Sequence, residues 1–106
     1  MAWVLLLAAG LLEVVWALSM KLSQGFTRPA ASLVTVLAML ASFALLSVSM
    51  KTLPLGTAYT VWTGIGAVGA FVAGTAFLGE PLTLARGVAA VLIVAGMILM
   101  KFSTVA

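Results

Sequence analysis

Four apolar runs, near residues 2–20, 30–50, 57–78 and 84–101, are separated by three breaks too short to hold a folded domain. An α-helix needs about 20 apolar residues to cross a hydrocarbon core about 30 Å thick, and each run meets that length. A helix satisfies its own backbone in lipid, and no run alternates as a barrel strand would. The breaks are Lys21 to Pro29 (KLSQGFTRP), Lys51 to Gly56 (KTLPLG) and Gly79 to Arg86 (GEPLTLAR), each with a charge, a Gly and a Pro. The expected fold is an all-α integral membrane protein, one transmembrane domain of four helices spanning residues 1–106. Composition agrees, since only 7% of the residues are charged against about 25% in a soluble domain.

The charges that remain are informative by position. All five Lys and Arg residues stand at or just beyond the ends of apolar runs, the pattern of interfacial anchors rather than of a nucleic-acid patch. Without Cys or His, disulfides, thiolate chemistry and the usual zinc sites are excluded. No nucleophile–base pair or metal constellation stands within the spans, so an enzyme is disfavoured and neither a metal nor a cofactor is expected. Ala17 and Ser19 would suit a signal-peptide cleavage site, yet no Lys or Arg precedes the first run and Glu13 interrupts it. The first segment is expected to be retained.

Glu13 stands inside the first run with Trp16 one turn on, and no basic residue lies at membrane depth to pair with it. Insertion scales place a central Asp at roughly +2.5 to 3.5 kcal/mol, so such a carboxylate usually faces a cavity or partner and handles a proton or cation. Around it, Ala9, Gly10 and Ala17 are small and open space beside the acid. In the second run Ser42 lies well inside the membrane beside Ala41; hydroxyls there often bond back to their own backbone. Tyr59 and Trp62 share a face of the third run, where they suit either an interfacial belt or, with Trp16 and Glu13, an aromatic-lined site for a small organic cation. Gly66, Ala70 and Gly74 recur every four residues, a stripe for close packing, and Gly64 and Gly66 flank Ile65 where a bend is expected. Ala89, Ile93 and Gly96 share a face of the fourth run that suits a helix–helix contact.

Four helices are too few to enclose a polar site and also present a lipid-facing shell on every side, so an oligomer is expected. Loops one and three share a side and carry Lys21, Arg28 and Arg86; the opposite side has Lys51 and Lys101. Three against two is nearly no instruction under the positive-inside rule. Dual insertion and antiparallel assembly of identical chains follow as expectations.

Three blocks, Glu13 to Lys21 (EVVWALSMK), Gly25 to Arg28 (GFTR) and Lys51 to Gly66 (KTLPLGTAYTVWTGIG), closely resemble the small multidrug resistance transporters. The likeness runs the whole length, loop for loop. Within that family Gly10, Trp16, Met39, Ala67 and Lys101 resemble the guanidinium exporter subtype rather than the exporters of polyaromatic cations. The resemblance implies an antiparallel homodimer in the bacterial inner membrane, exporting a guanidinium-type cation against protons by alternating access. It implies that Glu13 is the shared proton and substrate site, that Ser42 and Trp62 hydrogen-bond and orient the carboxylate, and that Trp16 lines the site. Tyr59 would couple the subunits, Gly64-Ile65-Gly66 would be the third-helix bend, and Ala89, Ile93 and Gly96 the dimer contact. Lys101 matches a membrane-edge basic residue of the subtype and reads equally as a snorkelling anchor. Thr60 departs from the subtype, which more typically has Ala there, and puts strict selectivity in doubt. The other readings are a broader exporter of quaternary ammonium cations, one subunit of a paired heterodimer, a non-transporting membrane subunit, or a proton-conducting ring subunit, which four spans with the acid in the first fit poorly.

Overall fold

A computed structural model describes residues 1–103 and contains four helices: α1 (Ala2–Leu22), α2 (Pro29–Ser49), α3 (Leu55–Phe77) and α4 (Leu84–Ser103). Each end lies within two residues of the boundary expected from hydropathy. All four helices are long and apolar enough to cross a membrane; the shortest, at 20 residues, spans about 30 Å.

Local chemistry sets where the helices stop. After α1, Ser23 donates its hydroxyl to the Met20 carbonyl at 2.7 Å and accepts the Phe26 amide at 3.1 Å. Gln24, Gly25 and Phe26 then take positive φ in succession and reverse the chain. Pro29 opens α2 at a position where a missing N–H costs nothing. Pro54 holds the extended conformation that launches α3, and Gly79, at φ 69°, turns the chain out of it.

The core lies among α1, α2 and α3. Leu6, Ala9, Leu46, Ala58, Val61 and Trp62 form its buried centre with Leu53 of the second loop. Along α2 the buried residues are Thr35, Ala38, Ser42, Leu46 and Ser49, one stripe at helical spacing, whereas Leu33, Leu37 and Leu40 face outward. Small and hydroxyl-bearing residues inside with branched aliphatics outside is the arrangement that lipid favours, because apolar side chains gain nothing by leaving hydrocarbon. α1 and α2 run antiparallel in a fixed register: Ser42 bonds to the Ala9 carbonyl, and seven residues on, Ser49 reaches Ala2 at 3.4 Å. α1 and α3 run parallel, with Gly10 against Ile65 and Gly69 against Val14. α4 is different. Its main packing is on α3, with Lys101 reaching Trp3 of α1, and it contributes no buried residue.

Candidate functional site

The parallel register of α1 and α3 carries Glu13 onto Gly66. A β-carbon built on Gly66 would collide with the Glu13 carboxylate, so only glycine leaves room for the acid there. Glu13 is half-buried, but its Oε1 is fully enclosed and has no hydrogen-bond partner among the described residues. An unpartnered buried acceptor costs about 1–3 kcal/mol, and more when charged. One turn along the same face, the indole Nε1 of Trp16 is likewise buried and unpartnered.

Beside this pair lies a connected polar and aromatic set. Trp62 Nε1 donates to Ser42 Oγ at 3.0 Å, and Ser42 Oγ donates to the Ala9 carbonyl at 2.7 Å. In an α-helix the carbonyl of residue 9 also accepts the amide of residue 13. The chain from Trp62 through Ser42 therefore ends on the backbone of the turn that carries Glu13. The rings follow in sequence: Trp16 meets Phe43 edge-on at 6.4 Å, Phe43 meets Trp62 at 5.9 Å, and Trp62 meets Tyr59 at 5.5 Å. A buried carboxylate oxygen near aromatic faces can take a proton or a small cation, with ring quadrupoles adding to the charge attraction.

The family model described as Small Multidrug Resistance protein matches residues 1–93. The chain belongs to that family. Among small multidrug resistance relatives, a Citrobacter freundii protein named Guanidinium exporter is 57% identical over 104 residues, covering 98% of this chain and 99% of its own. A protein of the same name from Salmonella typhi is 56% identical over 103 residues, covering 97% of this chain and 98% of its own. The one from Yersinia pseudotuberculosis serotype I (strain IP32953) is 53% identical over 104 residues, covering 98% of this chain and 100% of its own.

For a small multidrug resistance chain, the expected site residues divide into three groups. Glu13, Trp16, Ser42, Trp62 and Tyr59 come together through the contacts above, with Gly10 and Gly66 supplying close approach. The expected hydrogen bonds from Ser42 and Trp62 to the carboxylate are not those observed. Each has one proton to give; Trp62 gives its to Ser42, and Ser42 gives its to Ala9. The α1–α2 register places a carbonyl, rather than the acid, opposite the hydroxyl.

A second group lies along α3 and α4. Thr60 and Ala67 line the groove between these helices together with Tyr59, with Ile93 and Gly96 on its far wall, and Ala67 also lines the cleft between α1 and α3. Gly64 receives the Met97 side chain, whose sulfur would lie 2.5 Å from an added β-carbon, and Ile93 packs beside it. Thus Ile93 touches α3 within the chain while remaining exposed, as Ala89 and Gly96 are. α3 runs unbroken through Gly64-Ile65-Gly66, and those three residues are contact points for Met97, Gly10 and Glu13.

Lys101 forms the third. Its Nζ lies 5.4 Å over the Trp3 ring and 5.6 Å from that of Phe102, tying the end of α4 to the start of α1. Trp3 is ten residues from Glu13, about 15 Å along the helix, so Lys101 sits at the membrane edge and outside the acid's surroundings. Met39 is half-buried on α2, one turn before Phe43. Sequence reasoning missed Phe43 and Trp3. Phe43 lies four residues beyond Met39 and next to Ser42, a signal that points to it once the α2 face is known.

Proposed function

We propose that this chain exports guanidinium and small substituted guanidinium cations in exchange for protons, working as an antiparallel homodimer in the bacterial inner membrane. The observation that carries the reading is the enclosed, unpartnered Glu13 oxygen, held on Gly66 inside an apolar span. Either a proton or a cation supplies what that oxygen lacks, and the two compete because each neutralises the same charge. Alternating access turns the competition into exchange, since the carboxylate crosses with one ligand or the other and returns with its rival.

The names of the full-length relatives favour guanidinium as the cation. Trp16, already packed on Phe43, fills space that a bulky aromatic cation would need. Thr60, the one departure from the subtype, lines the α3–α4 groove beside Tyr59. Homodimerisation is supported by an α4 with no buried residue and by the near-balanced loop charges.

The test is proton-coupled uptake into liposomes with a panel of cations. Guanidinium should move faster than tetraphenylphosphonium, its uptake should alkalinise the lumen in step with its own flux because protons leave in exchange, and both should stop in Glu13→Gln. Proton-driven guanidinium transport by Glu13→Gln at the wild-type rate would sink the mechanism.

A further inference from the structure

The chain has two acidic side chains, and both rest on glycines of one stripe of α3. Glu13 lies on Gly66, and the Glu80 carboxylate lies where a β-carbon on Gly74 would be, eight residues or about 12 Å further along the helix. The backbone fixes this seat. The Gly74 carbonyl accepts the Leu78 amide at 3.0 Å and the Glu80 amide at 3.1 Å, with Gly79 at positive φ between them, so the chain folds back over the end of α3. Between α1 and α3 runs a cleft lined by Ala17, Ala67 and Ala70, the small residues just beyond Glu13 and Gly66, and its outer end is lined by Lys21, Glu80 and Arg86.

Arg86 is itself a substituted guanidinium. Its Nη1 donates to the Pro81 carbonyl at 3.0 Å, and its backbone amide is fixed by the Thr83 hydroxyl at 3.2 Å. The outer end of the cleft is thus lined by the Glu80 carboxylate and by Arg86, whose guanidinium is bonded to the carbonyl of Pro81, the residue after Glu80. A guanidinium presents N–H donors in a flat fork that fits such acceptors, which an ammonium with no N–H cannot match.

We propose that Glu80 and the Pro81 carbonyl form an outer guanidinium subsite at the loop-three end of the α1–α3 cleft, for which Arg86 is a tethered competitor. An incoming guanidinium exchanges with the Arg86 side chain there before moving along the alanine-lined wall towards Glu13. Lys21 opposes any cation at this position, and solvent screens the exposed pair, so the subsite is weak and acts on the rate of arrival more than on overall affinity. The inference rests on guanidinium being the cation carried.

The experiment reads the subsite without transport. In Glu13→Gln protein reconstituted in lipid, which lacks the central carboxylate, guanidinium chloride is titrated at constant ionic strength while the Gly74 and Gly79 amide signals are followed by NMR. Tetramethylammonium chloride, with the same charge and no N–H, is the control. Guanidinium should give a saturable shift at both amides and tetramethylammonium should not. Adding Glu80→Gln should abolish the shift. Arg86→Lys, which keeps the charge and loses the fork, should tighten the apparent Kd about two- to five-fold. Gly56→Ala, at the far end of α3 where an added β-carbon meets nothing within 4 Å, should leave it unchanged. Equal, non-saturating shifts with both cations, or a shift that survives Glu80→Gln, would overturn the proposal. Because these signals come from protein without Glu13, loss of the central mechanism and loss of the outer subsite are separately visible.

Discussion

The carboxylate of Glu13 occupies the space that a β-carbon on Gly66 would fill. The acid and the glycine belong to different helices, and neither position is explicable alone. Gly66→Ala should push the Glu13 side chain out of its seat and reduce guanidinium affinity at least about tenfold, with a stability loss of about 1–3 kcal/mol from overpacking. Gly56→Ala is the control, because a β-carbon there meets nothing within 4 Å. Titration of guanidinium by calorimetry distinguishes them. Wild-type affinity in Gly66→Ala would mean that the acid binds from another position.

Ser42 and Trp62 should behave as one unit. Ser42→Ala strands the buried Trp62 N–H, an unsatisfied donor worth about 1–3 kcal/mol. Trp62→Phe leaves the Ser42 hydroxyl its bond to Ala9 and should cost less through hydrogen bonding, though it also loses ring area. The double variant should be less unstable than the two losses added, with a coupling of about 0.5–3 kcal/mol in a double-mutant cycle. Strict additivity would show that the 3.0 Å contact contributes nothing.

Guanidinium binding should strengthen with pH. Only the ionised Glu13 attracts the cation, so binding releases a proton, and affinity climbs through the carboxyl titration and then levels off. In Glu13→Gln the profile should be flat and weak. Tryptophan fluorescence is the natural readout, given Trp16 one turn away. Affinity that falls as pH rises would contradict competition for a shared carboxylate.

Reporters fused at the carboxyl terminus should find both cytoplasmic and external populations in comparable amounts, since the Lys and Arg count scarcely favours either side. Adding two or three Lys residues to loop one or three should lock one orientation and remove function unless an oppositely locked copy is co-expressed. A single orientation above roughly nine-tenths in the unmodified protein would count against an antiparallel homodimer.

The spans were legible because lipid imposes one length on every helix, and their ends because Pro29, Pro54 and Gly79 permit few alternatives. The cost of a carboxylate at membrane depth marks Glu13 as a candidate site residue from the sequence alone. The direction in which Ser42 donates was not, because it depends on which α1 atom the α2 register brings opposite. A one-residue slip would change the acceptor and leave the sequence pattern intact. In the sequence the Gly66–Ala70–Gly74 stripe has the spacing of a packing surface between helices. Two of its members seat carboxylates instead, a fact that needs α1 and the third loop folded against α3 before it exists. The bridging ring of Phe43 was hidden for the same reason, since aromatic residues on lipid-facing helices are common and only the neighbours of this one set it apart.

α4 owes no buried residue to its own chain. Its hold on the other three helices passes through α3 and through the Lys101 tether to Trp3. Spreading the protein thinly in lipid should therefore loosen α4 before any other helix, and its amides should exchange hydrogen first. The ratio of protein to lipid becomes a variable of the fold itself, as concentration is for a soluble chain that completes its core only in company.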